Sequence, residues 1–306
     1  MKTVYYMPLE SEGRKELTIF RDLIAESNSA TNEQGKSTCD ITDLVTKSLS
    51  RLKLTHLTIF GSLKLDLTDK RLVSLVKQSK SLVSLEIKYN DLDNQDAKNI
   101  ASLISDNYCL TVLSLQGNLI TSSGFCAISK ALSSNSCLKS IDVSFNSISN
   151  YGVRRFAEAL KYNSTVEYIN LSSNQINEHG IKCLAAMLKV NKSVEVLELG
   201  FNKIGDKGAI YIANALSVNR TLKKIAIQEA EINPVGEGVK ALEKSLYLNF
   251  KLIALDLYYH AYAEQWQNKH TEYIEIYLEQ NMYILGESAE DIQDLLSTEP
   301  WPNLYV

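Results

Sequence analysis

One short frame recurs along this chain. It is apolar at its first, fourth and sixth positions, asparagine at the ninth and apolar again at the eleventh. The clearest copy runs through Val194, Leu197, Leu199, Asn202 and Ile204. Further copies begin at Leu54, Leu82, Leu110, Leu138, Val166, Leu222 and Leu252, in steps of 28 residues with a last step of 30. The first part of the frame alternates, as a strand with one buried face does. Helical spacing then takes over: after Gly208, the apolar residues Ala209, Ile212, Ala213 and Leu216 fall at i, i+3, i+4 and i+7. So small a strand–helix unit has two half-buried faces and no core of its own. It has to stack on its copies.

The frame resembles the leucine-rich repeat, in its ribonuclease-inhibitor type with long repeats and a full helix in each. The resemblance covers roughly residues 40 to 262. It implies an α/β solenoid, a horseshoe with a parallel sheet on the concave side and α-helices on the convex side. It also implies a protein-interaction scaffold.

The chain divides on this reading into a helical N-terminal cap (1–53), a solenoid of eight repeats (54–262), and a C-terminal helical cap with a tail (263–306). Glu12–Glu26 reads as an amphipathic helix with Leu17, Phe20, Leu23 and Ile24 on its apolar side; Asn28–Lys36 reads as a loop and Ile41–Leu52 as a second helix. The terminal copies are degenerate: Ser62 and Lys64 break the first frame, His260 and Tyr262 the last. Ala263–Met282 reads as a long aromatic-rich helix, and Ser288 as the start of a short one through Leu296. Within the solenoid, Asn90, Asn118, Asn146, Asn174 and Asn202 should bond the backbone of a neighbouring coil. Gly124, Gly152, Gly180, Gly208 and Gly238 should supply unusual dihedrals where helices start. Asp96, which replaces that glycine in the Leu82 copy, should act at a helix N-terminus.

Net charge is −4, which argues against a nucleic-acid footprint, and no apolar run is long enough to span a membrane. The N-terminus lacks the pattern of a secretory signal. Five cysteines in no CxxC spacing give neither a disulfide framework nor a zinc site, and a reducing, cytoplasmic setting follows. Cys109 and Cys137 share one repeat position and are expected to be small buried residues. The sequons at Asn163, Asn170, Asn191 and Asn219 arise from the repeat pattern itself. No nucleophile–base pairing, phosphate loop or metal motif is present, so no cofactor and no enzyme are expected. The alternative is an enzyme with an unfamiliar site around His260, His270 and Glu272 in the C-terminal cap.

The informative surface is the concave one, where frame positions three, five, seven and eight look away from the core. Position five carries Glu86, Asp142, Glu198 and Asp256 in every second copy, and position eight carries Tyr89, Phe145, Phe201 and Tyr259 in the same copies. These eight residues are the candidate protein-binding site. They imply a partner with a basic and apolar surface. Duplication of a two-repeat unit would leave the same alternation. The end of the chain, with Glu287, Glu290, Asp291, Asp294 and Glu299 near Leu304, looks like the C-terminal signal of type IV-secreted effectors. That likeness implies a bacterial effector delivered into the host cytosol; an acidic capping helix would carry the same residues.

Overall fold

The computed structural model describes residues 4–11, 14–21, 41–61, 67–257 and 269–285 of the chain. Position four of successive frames stacks in register: Leu57 pairs with Leu85, Leu85 with Leu113, Leu113 with Ile141, and so on through Ile169, Leu197, Ile225 and Leu255. The strands built on this row are β3 (His56–Phe60), β4 (Ser84–Lys88), β5 (Val112–Ser114), β6 (Ser140–Asp142), β7 (Tyr168–Asn170), β8 (Val196–Glu198), β9 (Lys224–Ala226) and β10 (Ala254–Asp256). All pair in parallel with their neighbours in chain order. Between them run α2 (Lys70–Gln78), α3 (Asn94–Ser105), α4 (Ser122–Leu132), α5 (Asn150–Leu160), α6 (Glu178–Leu188), α7 (Gly205–Leu216) and α8 (Glu237–Leu246). Apolar positions of strand and helix close on one continuous core, in which Leu113, Phe125, Ile141, Phe156, Ile169 and Leu197 are fully buried.

Two asparagine ladders hold the coils together. In the first, the Asn118 Nδ2 donates to the Ile87 carbonyl of the preceding coil, and its Oδ1 accepts from the Asn90 and Leu92 amides. Asn146, Asn174 and Asn202 repeat the donation to the coil before them. The second ladder lies where each helix returns to its strand. There Asn191 donates to the Leu160 and Asn163 carbonyls and accepts from the amides of Ser193 and Val194. Asn107, Asn135, Asn163, Asn219 and Asn249 occupy the same place and are all buried. A buried amide with every group bonded ties two coils without an orphaned polar atom. The sequons at Asn163, Asn191 and Asn219 thus sit on side chains closed to any modifying enzyme once the chain is folded.

Several expectations are corrected. Gly124, Gly152, Gly180, Gly208 and Gly238 do not supply unusual dihedrals; none has a positive φ. Their role is close packing. A methyl group at Gly124 would lie 2.8 Å from the Ala97 Cβ and the Asn94 Oδ1, and one at Gly238 would lie 2.9 Å from the Ala209 Cβ. Asp96, by contrast, acts at a helix N-terminus as expected: Asp93 caps α3, accepting from the amides of Gln95 and Asp96, while Asp96 at the third helical position accepts from the Asp93 amide. Cys109 and Cys137 are half-buried, not buried.

Glu12–Glu26 is not a helix over its described part. β1 (Val4–Ser11) and β2 (Arg14–Arg21) form an antiparallel hairpin, and β2 pairs in parallel with β3. Leu17 and Ile19 face the core while Glu16 and Thr18 are half-exposed, so period two wins. An unpaired β3 would leave a row of backbone groups without partners, and β2 satisfies them. α1 (Ile41–Arg51) forms as expected, with Val45 buried. At the other end α9 (Lys269–Leu285) packs against α8 and buries Ile274. Its Asn281 donates to the Asn249 and Leu252 carbonyls, which continues the second ladder from within a helix. The Asn28–Lys36 loop, Cys39, Ser62, Lys64, Tyr259, His260, Tyr262 and the Ser288–Leu296 helix lie outside the described residues, as does 263–268 of the long helix.

Candidate functional site on the concave face

Strand register sets the site. Position five of successive coils stacks as Thr58, Glu86, Ser114, Asp142, Asn170, Glu198, Ala226 and Asp256. Adjacent strands lie about 4.8 Å apart, so acids on alternate strands lie roughly 10 Å apart.

Their setting differs from a solvated stripe. Asp142 is 9% exposed and Glu198 8%. The Asp142 carboxylate accepts from the Ser114 hydroxyl at 3.3 Å and from the Ser144 amide at 2.9 Å. Burial raises its pKa despite those bonds. Glu198 is raised for the same reason, with the Lys224 ammonium at 3.3 Å pulling the other way. Glu86 is paired with Lys88 at 2.6 Å. The Tyr168 phenol, between Asp142 and Glu198 in sequence order of coils, is pushed far up by burial and then by those two carboxylates. Two of the acids therefore already hold a lysine. Sequence reasoning missed Lys88 and Lys224, which sit at positions seven and three. The physical signal was present, since two strands at these positions bring a lysine within reach of the acid row.

Position eight has a backbone signature. Its amide donates to the position-seven carbonyl of the next coil: Tyr89 to Gln116, Phe145 to Ser172 and Phe201 to Gln228, each at 2.9–3.0 Å. Making that bond as the chain leaves the strand requires a left-handed residue. Tyr89, Phe145, Ser173, Phe201 and Glu229 have φ of 52–56°. Gly61 and Gly117, with φ of 83° and 68°, take the same place without strain. A side chain here costs about 1 kcal/mol or more relative to glycine. Three aromatic rings are kept at that cost.

Tyr89 has a packing role that partly repays it. Its ring lies over Gly117, where an added methyl would collide with it, and it meets the Phe60 ring at 5.2 Å. Phe145 is half-buried, and Phe201 is 46% exposed. Asp256 lies at the edge strand, half-exposed, and Tyr259 is outside the described residues.

The two-coil alternation is not confined to this face. Asn94, Asn150 and Asp206 occupy one position at the start of α3, α5 and α7, in the same alternate coils. Asn94 accepts from the Thr121 and Gly124 amides, Asn150 from those of Asn177 and Gly180, and Asp206 from that of Asn233. A pattern shared by two distant surfaces is a property of a duplicated two-coil unit. Alternation alone therefore says little about binding; the strained aromatics say more.

Of the alternative site, His270 and Glu272 are described and His260 is not. The His270 Nδ1 lies 2.5 Å from the Glu243 carboxylate and ties α9 to α8, while Glu272 faces solvent. Among the described residues no three histidine, cysteine or acidic side chains converge on one point. Nor is any described helix long and apolar enough to cross a membrane.

The family model for the leucine-rich repeat matches residues 134–157, 162–185 and 190–213. No curated relative matches the chain. Among solved structures 145 chains match. One is the actin-binding site 2 of leiomodin-1, at 24% identity over 57% of this chain and 96% of that one, with a TM-score of 0.46. Another is the tropomodulin C-terminal domain from Caenorhabditis elegans, at 15% identity over 53% of this chain and 93% of that one, with a TM-score of 0.45. The recurring frame, its stacked register and the match of those three segments together show an α/β solenoid fold built of leucine-rich repeats.

Proposed function

We propose that this chain is a non-enzymatic solenoid that binds a protein partner on its concave face. The observation that carries the reading is the row of Tyr89, Phe145 and Phe201, kept as aromatics on left-handed backbone where glycine would relieve strain. Rigid aromatics beside polar groups are the usual anchors of protein interfaces. Asp142 makes no ion pair among the described residues, so a cation of the partner would gain most there. Glu86 and Glu198, already paired, set the shape and polarity of the face. Asp256 and Tyr259 extend the candidate site to its C-terminal end. The 28-residue steps, with a full helix in each coil, support the ribonuclease-inhibitor subclass.

The test begins with capture of a partner from lysate by the intact chain. A titration then compares wild type with the Phe145→Ala, Phe201→Ala variant. We expect the variant to lose at least about 2 kcal/mol of binding, the scale of interface anchors, with its melting temperature kept. Undiminished affinity would move the binding surface off the concave face.

Delivery into a host cell, as a bacterial effector, rests on a composition rich in Lys, Asn, Ser and Ile and on the acidic C-terminal end. If residues 300–306 belong to a type IV signal, their removal abolishes translocation of a fused reporter and leaves the fold intact. Equal translocation with and without them ends that reading.

A further inference from the structure

The second asparagine ladder runs beneath a row of exposed apolar side chains. Tyr162, Val190, Val218 and Leu248 each follow a helix end by two residues and make the same turn, donating to the Ala159, Met187, Ala215 and Ser245 carbonyls. They are 89%, 55%, 55% and 49% exposed. The neighbouring Asn163, Asn191, Asn219 and Asn249 bond coil to coil, so the four side chains stand abreast on one edge of the solenoid. Their spacing lies between that of strands and that of packed helices, roughly 5 to 10 Å. Phe250, also exposed, widens the row at its C-terminal end.

The charges carried by these turns themselves have one sign. Lys161, Lys189, Lys192, Arg220 and Lys251 are all exposed on the same turns. The acids that share the edge are neutralised by its other lysines: Glu167 with Lys139 at 3.0 Å, and Glu195 with Lys223 at 3.2 Å. Five surplus cations thus gather on one edge of a chain whose net charge is −4. Helix dipoles favour Lys161 and Lys189, which cap the C-termini of α5 and α6. Dipoles give no reason for the apolar row between them. Nor does the core, since about half or more of each of these residues stays in solvent.

We infer that this edge docks on an anionic lipid bilayer, with Tyr162, Val190, Val218, Leu248 and Phe250 entering the interface and the five cations meeting lipid phosphates and carboxylates. The shape favours a membrane over a protein. These tips are each about half or more exposed, whereas a peptide or helix docks in a walled groove. A bilayer interface is flat, yielding and negative, and it accepts aromatic and aliphatic tips under a basic rim. This site is separate from the concave face and does not depend on it.

Co-sedimentation of the full chain with large vesicles is the test. One set is phosphatidylcholine alone; the other contains about a third phosphatidylserine, at about 0.1 M salt, where surface charge still acts over about 10 Å. The wild-type chain is expected to bind the anionic vesicles and to leave the neutral ones. Val190→Asp with Val218→Asp should weaken binding at least about tenfold through loss of buried methyl groups. Lys189→Gln with Lys192→Gln, which alters no packed side chain, should weaken it by about tenfold or more. Both should melt as wild type, and the Phe145→Ala, Phe201→Ala variant should bind vesicles normally. A wild-type chain that stays in the supernatant with both vesicle sets overturns the proposal and leaves the edge to an acidic protein. Equal binding to both sets, or variants that sediment like wild type, overturn it as well.

Discussion

Gly117 shows how one residue can be fixed by two independent constraints. Its φ of 68° penalises any side chain, and the Tyr89 ring fills the space a Cβ would need. Gly117→Ala is expected to cost about 2 to 4 kcal/mol in a urea titration, the sum of left-handed strain and overpacking. Adding Tyr89→Ala should recover the packing part and leave the dihedral part; strict additivity of the two substitutions would refute the contact. Asp142 makes the opposite case, a charge held where solvation is poor. A carboxyl whose pKa is higher folded than unfolded binds more protons in the folded state. Stability therefore falls as pH rises through the interval just above the ordinary carboxylate range. Asp142→Asn keeps an acceptor for the Ser144 amide and a donor for the Ser114 hydroxyl. It should be at least as stable as wild type at neutral pH, with the advantage vanishing in acid, as read by thermal melts across pH. A variant less stable at neutral pH would show that the ionised form contributes to folding. The positions of these acids follow from the strand period. Their surroundings do not, because these depend on Lys88 beside Glu86 on β4 and on Tyr168 and Lys224 from neighbouring coils.

At the scale of elements, the frame made the coils readable while the ends were not. Strands β3 to β10 and helices α2 to α8 fall where the apolar positions put them, since each coil repeats one local pattern many times over. The N-terminal hairpin had no such repetition to correct it. Leu17, Phe20, Leu23 and Ile24 fit a helix over fifteen residues, and the alternation of Leu17 and Ile19 decides only once β3 offers an edge. The second asparagine ladder was hidden in a different way. Asn163, Asn191 and Asn219 read as sequons because a sequon and a turn-closing amide use the same letters. Their energetic weight is testable. Asn191→Ala removes five hydrogen bonds, one of them from the Ser193 hydroxyl, and leaves carbonyls and amides of two coils without partners. We expect a loss of about 3 kcal/mol or more by urea titration, at the scale of one to three per orphaned group. Asn281→Ala cuts a smaller tie at the end of the array. It should chiefly speed amide hydrogen exchange in α9, with little change in α4 to α6; uniform loss of protection would mean that α9 unfolds with the whole.

For the whole molecule, stability is a sum over coils and their interfaces. Removing residues 263–306 strips α9 from α8 and exposes the layer around Leu252, so the shortened chain should melt lower or aggregate. A shortened chain that stays monomeric and melts at the wild-type temperature would make this region an appendage. The coil-to-coil bonding also has a mechanical consequence. The Asn ladders and strand pairs bind each coil only to its two neighbours. In a tether pulled by its two ends, load reaches the terminal coils first, and a coil can peel away without breaking the next. Each one released adds 28 residues of slack, about 100 Å when extended. The force trace of this chain should be a staircase of near-equal steps, a spring that yields turn by turn where a globular core of the same size would rupture once.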